Sequence, residues 1–271
     1  MLQNGCHAPA FAALSLIALT LLRARGVPRN VLGQSLTIVI AMLLTGAATE
    51  GVQSLFGRDA EFDDVVSDVV GTLGAMGAWL YLQWKHSGVR IGRIAALLVC
   101  TGAVTYWLDP FAESARAYFN RYAQFPVLAQ FHSERDLYFV SSSGTDTRVV
   151  GTALQATLAP GPWPGFTLSE LMPDWRKYHV LNVDVGNPGS AELPLILRVN
   201  DRAHRGDSDD RFNLDFSLKP HARTTIRVPL EDIARSPRGR RMDMSRISQL
   251  IVFRNGGAPG QVLQLHEVWL Q

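Results

Sequence analysis

Apolar residues run in four long stretches through the first part of the chain, at about 8–22, 31–48, 65–84 and 91–108. A helix that crosses a bilayer needs about 20 apolar residues, and about 17 still suffice. The second and fourth stretches meet this length, and the third does so although Ser67 and Asp68 interrupt it. The first begins near Met1 without a basic n-region or a small-residue cleavage site, so it is not typical of a removable signal peptide. The pattern predicts about four transmembrane helices.

From about residue 135 the pattern changes to short runs in which apolar and polar residues alternate. The runs are DLYFV, RVVGTALQATL, YHVLNVDVGN, LPLILRVND, FNLDFSL, TTIRVPL, ISQLIVF and QVLQLHEVWL, with turn signals such as Asn187-Pro188-Gly189 between them. Seven or eight strands at this spacing predict an antiparallel β-sandwich. We therefore expect an α + β membrane protein of two domains, a transmembrane helical bundle over 1–108 and a β-sandwich over 131–271.

Residues 109–130 join the two predicted domains. Within them, FAESARAYFNRYAQF (111–125) places aromatic residues at helical spacing, with charged residues between them. Such a helix is suited to lie in the membrane interface, or to pack as a linker beneath the sandwich. Pro126 is expected to end it.

The charges predict how the spans are oriented. The net charge of +2 conceals basic links before the second and fourth stretches and an acidic link between the second and third. The basic links contain Arg23, Arg25 and Arg29, and Lys85, Arg90 and Arg93; the acidic link contains Arg58 against Asp59, Glu61, Asp63 and Asp64. Basic links favour the cytoplasm, so the N-terminus and the sandwich should both lie outside it. Neither half has the basic bias of a nucleic-acid-binding protein.

Cys6 and Cys100 are the only cysteines, so the sequence offers neither a disulfide framework nor a cysteine-based zinc site. Cys6 also lacks the preceding apolar run of a lipoprotein processing site. The segment DRAHRGDSDD (201–210) has oxygen ligands without the spacing of a calcium loop, and a solvated turn is the simpler interpretation. We expect no metal and no cofactor.

Polar residues cluster where the second and third spans face each other. Glu50 and Gln53 lie three residues apart, and Asp64, Asp68 and Gly71 fall on one helical face. Ionisable groups in a span are costly unless they are paired or hydrated, which favours a buried polar site, with Arg58 in the turn as a partner for the acids. The alternative is that Glu50 and Asp64 are interfacial residues in water.

The same residues resemble the VanZ-like membrane domain over about residues 4–84. The matching positions are His7, Glu50, Gln53, Gly57, Arg58, Asp64 and Gly71. Asp68 stands where the family usually has Asn, and the family's span ahead of the His-bearing one is absent here. The family is named for glycopeptide (teicoplanin) resistance, a cell-envelope phenotype. The resemblance implies a multi-pass protein of the bacterial inner membrane, with membrane lipid as a partner.

Residues 135–271 resemble the galactose-binding-like jelly roll of carbohydrate-binding modules. The resemblance rests on DWRKYHVLNVDVGNP, LPLILRVND, DRFNLDFSLKPHARTTIRVPLEDI and MDMSRISQLIVF. It implies that exposed aromatic side chains stack on sugar rings, with polar groups nearby. The candidate ligand-binding residues are Trp163, Phe166, Trp175, Tyr178, Asp201, Arg202 and Trp269. For Trp175 and Tyr178, at the start of a strand, a place in the core is the competing interpretation.

Three functions remain open from the sequence. The first is a membrane-anchored envelope protein whose sandwich binds an envelope polysaccharide, a lipid-linked glycan or another envelope component. The second is a membrane enzyme that acts on a lipid-linked envelope substrate through Glu50, Arg58, Asp64 and Asp68, which offer acid–base groups and an anion-binding arginine. The third is a structural or assembly protein without glycan binding. The sequence lacks a nucleophile–base triad, a phosphate loop and a His-Glu-x-x-His motif, which weighs against an enzyme.

Overall fold

Four long helices precede two antiparallel sheets along the chain. The computed structural model describes residues 6–26, 30–55, 62–85 and 88–271. The chain divides into two units, Met1–Ser114, which we call the helical unit, and Ala115–Gln271, which we call the sandwich unit. The predicted α + β class with four apolar helices and an antiparallel sandwich is confirmed.

The long helices are α1 (His7–Ala24), α2 (Val31–Leu55), α3 (Phe62–Trp84) and α4 (Arg90–Gln124). Each is long and apolar enough to cross a membrane. Many of their large apolar side chains are exposed, among them Leu36, Leu44, Ile91 and Leu98. Exposed apolar side chains are what a helix surrounded by lipid requires, because the solvent on that side is hydrocarbon.

Close backbone contact joins α1 to α3. A Cβ atom at Gly71 of α3 would stand 2.0 Å from the carbonyl oxygen of Ala8. Small residues at such positions allow membrane helices to approach and pack. Leu19, Ile38 and Met76 form an apolar core between α1, α2 and α3. The glycine on the predicted polar face of α3 is therefore a packing contact.

The fourth helix is longer than the predicted span. It continues through Pro110 to Gln124, so the predicted span (91–108) and the predicted linker helix (111–125) form one helix that ends two residues before Pro126. Beyond residue 114, the Arg121 guanidinium lies 3.8 Å from the centre of the Phe139 ring, and the Tyr118 ring meets the same ring edge-on. Phe119 and Tyr122 are exposed. This end of α4 thus has one face packed within its own unit and one aromatic face in the open.

Beyond α4, eleven strands, one short α-helix and one 3-10 helix are described in the sandwich unit. The strands and the α-helix are β1 (Val127–Gln130), β2 (Val140–Ser143), β3 (Thr145–Val150), β4 (Ala153–Leu158), β5 (Gly165–Leu168), β6 (Val180–Asn187), β7 (Leu193–Asp201), β8 (Phe212–Leu218), β9 (Ala222–Pro229), α5 (Leu230–Arg235), β10 (Ile247–Phe253) and β11 (Gln261–Leu270). One sheet has the order β3-β4-β11-β6-β9, with β1 also paired to β11. The other has the order β2-β5-β10-β7-β8, and every described pairing is antiparallel.

Two predicted strands differ from the structure. Most of DLYFV lies in a 3-10 helix, Glu134–Phe139, which has a capping box between Ser133 and Asp136. The run RVVGTALQATL forms parts of two strands, β3 and β4, which are joined at Gly151. Gly151 has a φ of +62°, a backbone conformation that favours glycine and reverses the chain. The three short strands β1, β2 and β5 raise the count above the seven or eight expected.

Leucine, valine and phenylalanine side chains fill the space between the sheets. On β7, Leu195, Leu197 and Val199 point inward, because side chains alternate between the two faces of a strand. Trp175 is completely buried in this core, and its Nε1 donates a hydrogen bond to the Met172 carbonyl at 2.8 Å. Alternation therefore leaves the intervening residues of β7 on the outer face.

Candidate functional site

The outer face of the five-stranded sheet carries a row of polar and apolar side chains. In the register of the sheet, Ile251 of β10 stands between Thr167 of β5 and Arg198 of β7. Two residues further along β10, Phe253 stands between Gly165 and Ile196. Directly paired residues on one face have neighbouring Cβ atoms, so these side chains form a continuous surface.

This surface is the floor of a groove, which we call the sandwich groove. Its lining residues are Ser143, Trp163, Gly165, Phe166, Thr167, Arg198, Arg211, Ile251 and Phe253, and its volume is about 430 Å³. Small-ligand sites typically have volumes of about 300–1,000 Å³ and combine apolar walls with a few polar groups. The sandwich groove has the size and the mixed lining of such a site.

Trp163 forms the exposed aromatic side of the sandwich groove. Its side chain is 54% exposed and meets the Phe253 ring edge-on, with 5.8 Å between ring centres. The loop that carries it is tied to the sheet by two backbone hydrogen bonds, from the Arg254 amide to the Pro164 carbonyl and from the Gly256 amide to the Pro162 carbonyl. The tryptophan is thus open to solvent on a loop that backbone contacts hold in place.

Two arginines supply the strongest polar groups of the sandwich groove. Arg198 Nη2 lies 2.9 Å from His204 Nε2, and His204 Nδ1 lies 2.9 Å from the Asp210 carbonyl oxygen. A guanidinium only donates, so His204 Nε2 accepts and Nδ1 carries the hydrogen that Asp210 receives. Burial, and then the charge of Arg211, lower the pKa of Arg198. The two positive charges therefore act on each other within the sandwich groove.

An ion-pair network lies behind these arginines. The Arg240 guanidinium contacts Asp201 at 2.6 and 2.9 Å and also donates to the Asp210 carboxylate. Burial alone would raise the pKa of Asp201, but hydrogen bonds from Arg240 and from the Asp243 amide outweigh it and hold that pKa below its ordinary value. The hydrogen bond from Arg240 likewise lowers the pKa of Asp210. The network thus ties the segment after β7 to the segment before β10.

The predicted ligand-binding residues occupy different places. Trp163 and Phe166 line the sandwich groove, although Phe166 is only 1% exposed and mainly faces the core. Arg202 is exposed and is not among the lining residues. Trp269 is half-buried on β11, in the other sheet.

Three other predicted ligand-binding residues lie wholly or partly in the interior of the sandwich unit. Trp175 is fully buried in the core and offers no face to a ligand. Tyr178 is half-buried and packs edge-on against Phe125. Asp201 is 1% exposed, and its carboxylate forms an ion pair with Arg240. The segment 201–210, which we interpreted as a solvated turn, is therefore anchored at its first residue by a buried carboxylate.

Sequence reasoning missed Phe253, Arg198 and Arg211. A signal for Arg198 was present, because it lies between Leu197 and Val199 in an alternating strand and must point outward if they point inward. Phe253 gave no such signal, since an apolar residue at a strand end is ordinarily assigned to the core. Its place beside Trp163 depends on the pairing of β10 with β5.

A second polar site lies in the helical unit, and we call its residues His7, Glu50, Asp64 and Asp68 the membrane polar cluster. His7 Nδ1 is 2.9 Å from Asp68 Oδ1, and His7 Nε2 is 3.5 Å from Asp64 Oδ2. Glu50 of α2 is 6% exposed, Asp64 8% and Asp68 2%. Three helices therefore bring one imidazole and three carboxylates into the interior of the unit.

Most of the predicted polar residues take part in this cluster. A Cβ atom at Gly46 of α2 would stand 2.8 Å from Asp68 Oδ2, so α2 lies close to the face of α3 that carries Asp68. Gln53 is half-buried. Arg58 lies outside the described residues. Within the described ranges, no group of three His, Cys, Asp or Glu residues is suited to hold a metal ion.

No protein-family model matches the chain, and no curated protein is similar to it. The VanZ-like resemblance therefore stays a prediction. Among solved structures, an exo-beta-agarase is 11% identical with a TM-score of 0.45, covering 54% of this chain and 24% of that one. This chain thus spans about a quarter of the agarase's length.

Two smaller solved structures are similar over about half of the chain. A family 11 carbohydrate-binding module from Clostridium thermocellum, in complex with a beta-1,3-1,4-mixed-linked tetrasaccharide, is 15% identical with a TM-score of 0.37, covering 48% of this chain and 82% of that one. A family 29 carbohydrate-binding module is 14% identical with a TM-score of 0.33, covering 49% and 79%. Sequence identities and TM-scores at this level do not define what the chain binds.

Proposed function

We propose that this chain is a membrane-anchored protein of the bacterial cell envelope whose β-sandwich binds a glycan. The observation that carries the proposal is the sandwich groove, in which the exposed Trp163 stands beside Phe253, two guanidinium groups and two hydroxyl side chains. Rigid aromatic rings offer flat apolar contact area at low entropic cost, and the polar groups can orient sugar hydroxyls. This combination suits the alternating apolar and hydroxylated faces of a sugar.

The membrane part of the proposal rests on four apolar helices and on the distribution of charge. The links before α2 and α4 are basic, and basic links favour the cytoplasmic side. With four spans, the sandwich then lies outside the cytoplasm, where envelope polysaccharide or lipid-linked glycan is accessible to it. The helices serve as its anchor in the inner membrane.

The test is glycan binding by the full chain in nanodiscs of phosphatidylcholine, first on a glycan array and then by biolayer interferometry. Trp163→Ala should lower the affinity for any glycan that binds by about tenfold or more, because truncating a central aromatic contact typically costs on the order of 2 kcal/mol. Trp269→Ala, which changes a tryptophan of the other sheet, should leave the affinity unchanged. Failure to bind any arrayed glycan contradicts the proposal, and so does binding that Trp163→Ala does not weaken.

A second candidate function is chemistry on a polar or lipid-linked envelope substrate at the membrane polar cluster. The observation that favours it is the contact of His7 with both Asp64 and Asp68, because an imidazole held between carboxylates is suited to proton transfer. The same contacts also serve a structural role, since each acid buried between helices needs a polar partner. The two roles make different predictions for conservative variants.

Glu50→Gln and Asp64→Asn keep the size and hydrogen-bonding capacity of the side chains but remove their acid–base function. If the cluster acts in a reaction, both variants should abolish the envelope phenotype of the gene in its host, with normal amounts of protein in the membrane fraction. An unchanged phenotype excludes the reaction. A loss that parallels a loss of membrane protein assigns the cluster to helix packing.

A further inference from the structure

We propose that the glycan of the sandwich groove is anionic, with a carboxylate or sulfate group bound by Arg198 and Arg211. The inference rests on the proposed function, since it specifies the ligand of the same site. It starts from the charge of the lining, because both charged residues in the lining are arginines and none is an acid. The groove thus presents two positive charges to whatever occupies it.

Neither guanidinium is neutralised by a carboxylate in the described part of the chain. Among the described residues, neither Arg198 nor Arg211 forms an ion pair with a carboxylate. The Nε atom of each is buried and has no hydrogen-bond acceptor in the described part of the chain. Asp215 lies on the same outer face, opposite Ile196, but it is exposed and pairs with neither. An anionic ligand would therefore bring the first counter-charge to both guanidinium groups.

Arg198 is also held in position before any ligand arrives. His204 accepts a hydrogen bond from its Nη2 and donates to the Asp210 carbonyl, while Arg240 secures the Asp210 carboxylate. A guanidinium that is already oriented loses less entropy on binding, and its planar fork matches the oxygens of an anionic group. Two like charges close together repel each other. An anion between them would attract both guanidinium groups and would also reduce this repulsion.

The alternative is that Arg198 and Arg211 only cover apolar surface and bind no anion. Arginine stems can cover hydrophobic surface while their heads reach solvent, and Ile251 and Phe253 form such a surface here. That role requires no anion and predicts equal affinity for neutral and acidic glycans. Two guanidinium groups in one groove, with no acid in its lining and no carboxylate partner among the described residues, favour the anionic ligand, because a negative charge between them relieves their mutual repulsion.

The experiment compares polymers that differ only in charge. The full chain in phosphatidylcholine nanodiscs is titrated with polygalacturonate and with its methyl ester, and with dextran sulfate and unmodified dextran. The charged member of at least one pair should bind about tenfold more tightly, and the pair that responds separates a carboxylate from a sulfate. Arg198→Gln and Arg211→Gln should each lower affinity for the charged polymer about tenfold, as expected for a charge-assisted hydrogen bond.

Arg227→Gln is the matched control, because it removes one exposed arginine from the outer face of the other sheet. It should leave the affinity unchanged, whereas an equal loss in this variant would overturn the inference by showing a general charge effect. Equal binding of charged and neutral partners also overturns the inference but leaves the proposed function intact. Binding of no polymer in these pairs overturns the inference, and if no arrayed glycan binds either, the proposed function fails with it.

Arg198→Lys should bind the charged polymer more tightly than Arg198→Gln does, because lysine keeps the positive charge but lacks the planar fork of the guanidinium.

Discussion

The helical unit buries Glu50, Asp64 and Asp68 between its helices and exposes side chains such as Leu44, whereas the sandwich unit buries leucines between its sheets. In both units, the side chains at the surface are those that the surrounding solvent favours. Lipid accepts apolar side chains, so the polar groups of the helices gather inside, where His7 contacts Asp64 and Asp68. Water accepts polar groups, so the apolar side chains of the strands gather inside.

The difference changes how a polar residue should be interpreted in each unit. In the helices a buried acid is expected to have a partner on another helix, as Asp68 has in His7. In the sandwich the informative residues are exposed aromatic side chains such as Trp163, and arginines such as Arg211 that have no carboxylate partner among the described residues. The four predictions below test this contrast, from the largest expected effect to the smallest.

The first prediction places the same substitution on the two surfaces. Leu44→Lys puts a charge near the middle of α2 on a side chain that is 65% exposed, and should cost about 3 kcal/mol of insertion free energy. Val150→Lys, at a 42% exposed position of β3, should change the stability of the sandwich by no more than about 0.5 kcal/mol. Glycosylation mapping of α2 in microsomes measures the first, and urea unfolding the second. Normal insertion of Leu44→Lys would contradict a lipid-facing surface.

The second prediction concerns the buried charge of the sandwich. Asp201→Asn leaves Arg240 without its buried partner and should lower the free energy of unfolding by about 3 kcal/mol, the lower end for a broken buried pair because Arg240 is 24% exposed. Arg238→Ala, which breaks an exposed pair with Asp209, should cost less than about 1 kcal/mol. Urea unfolding of the two variants gives the comparison, and equal costs would contradict it.

Acid should have the same effect as the Asp201 substitution. The folded-state pKa of Asp201 lies below its ordinary value of 3.8, so its contribution is present above that value and is lost as the pH falls through the folded-state pKa. The wild-type chain should therefore lose stability on acidification below about pH 4. The loss should be smaller in Asp201→Asn, and parallel pH profiles would show that other carboxyl groups account for it.

The third prediction tests the contact between α1 and α3. Gly71→Ala forces a methyl group against the Ala8 carbonyl and should destabilise the helical unit by about 2 kcal/mol, a typical cost of overpacking. Gly102→Ala in α4 meets nothing within 4 Å and should be neutral or stabilising by up to about 1 kcal/mol, as alanine is in a helix. Thermal unfolding in detergent measures both. A neutral Gly71→Ala would show that the helices lie further apart.

The fourth prediction has the smallest expected effect and concerns the turn between β3 and β4. Gly151→Ala places a side chain at a φ of +62° in the turn between β3 and β4, with nothing within 4 Å, so backbone strain alone should cost about 1 kcal/mol. Gly161→Ala has equal space without the positive φ and should be nearly neutral. The difference between the two in urea unfolding is the measurement, and no difference would contradict the strained turn.

The sequence allowed the helices to be predicted because each span is a continuous apolar run that needs no partner to be recognised. It also placed Asp64, Asp68 and Gly71 on one face, since helical spacing is a local property. The sandwich groove was predicted only in part. Whether Phe166 or Phe253 faces outward depends on strand alternation together with sheet register, and register is set by residues far apart in the chain.

In the proposed glycan site, the contact between Arg198 and His204 distinguishes a residue that would touch the ligand from one that would adjust its affinity. His204 and Arg240 are not among the lining residues of the sandwich groove, yet they fix the direction in which Arg198 points. A substitution at His204 would therefore change the strength of binding while every ligand-contacting side chain stays the same. In the proposed glycan site, affinity could thus be changed through residues behind the binding surface, without changing the side chains that would contact the glycan.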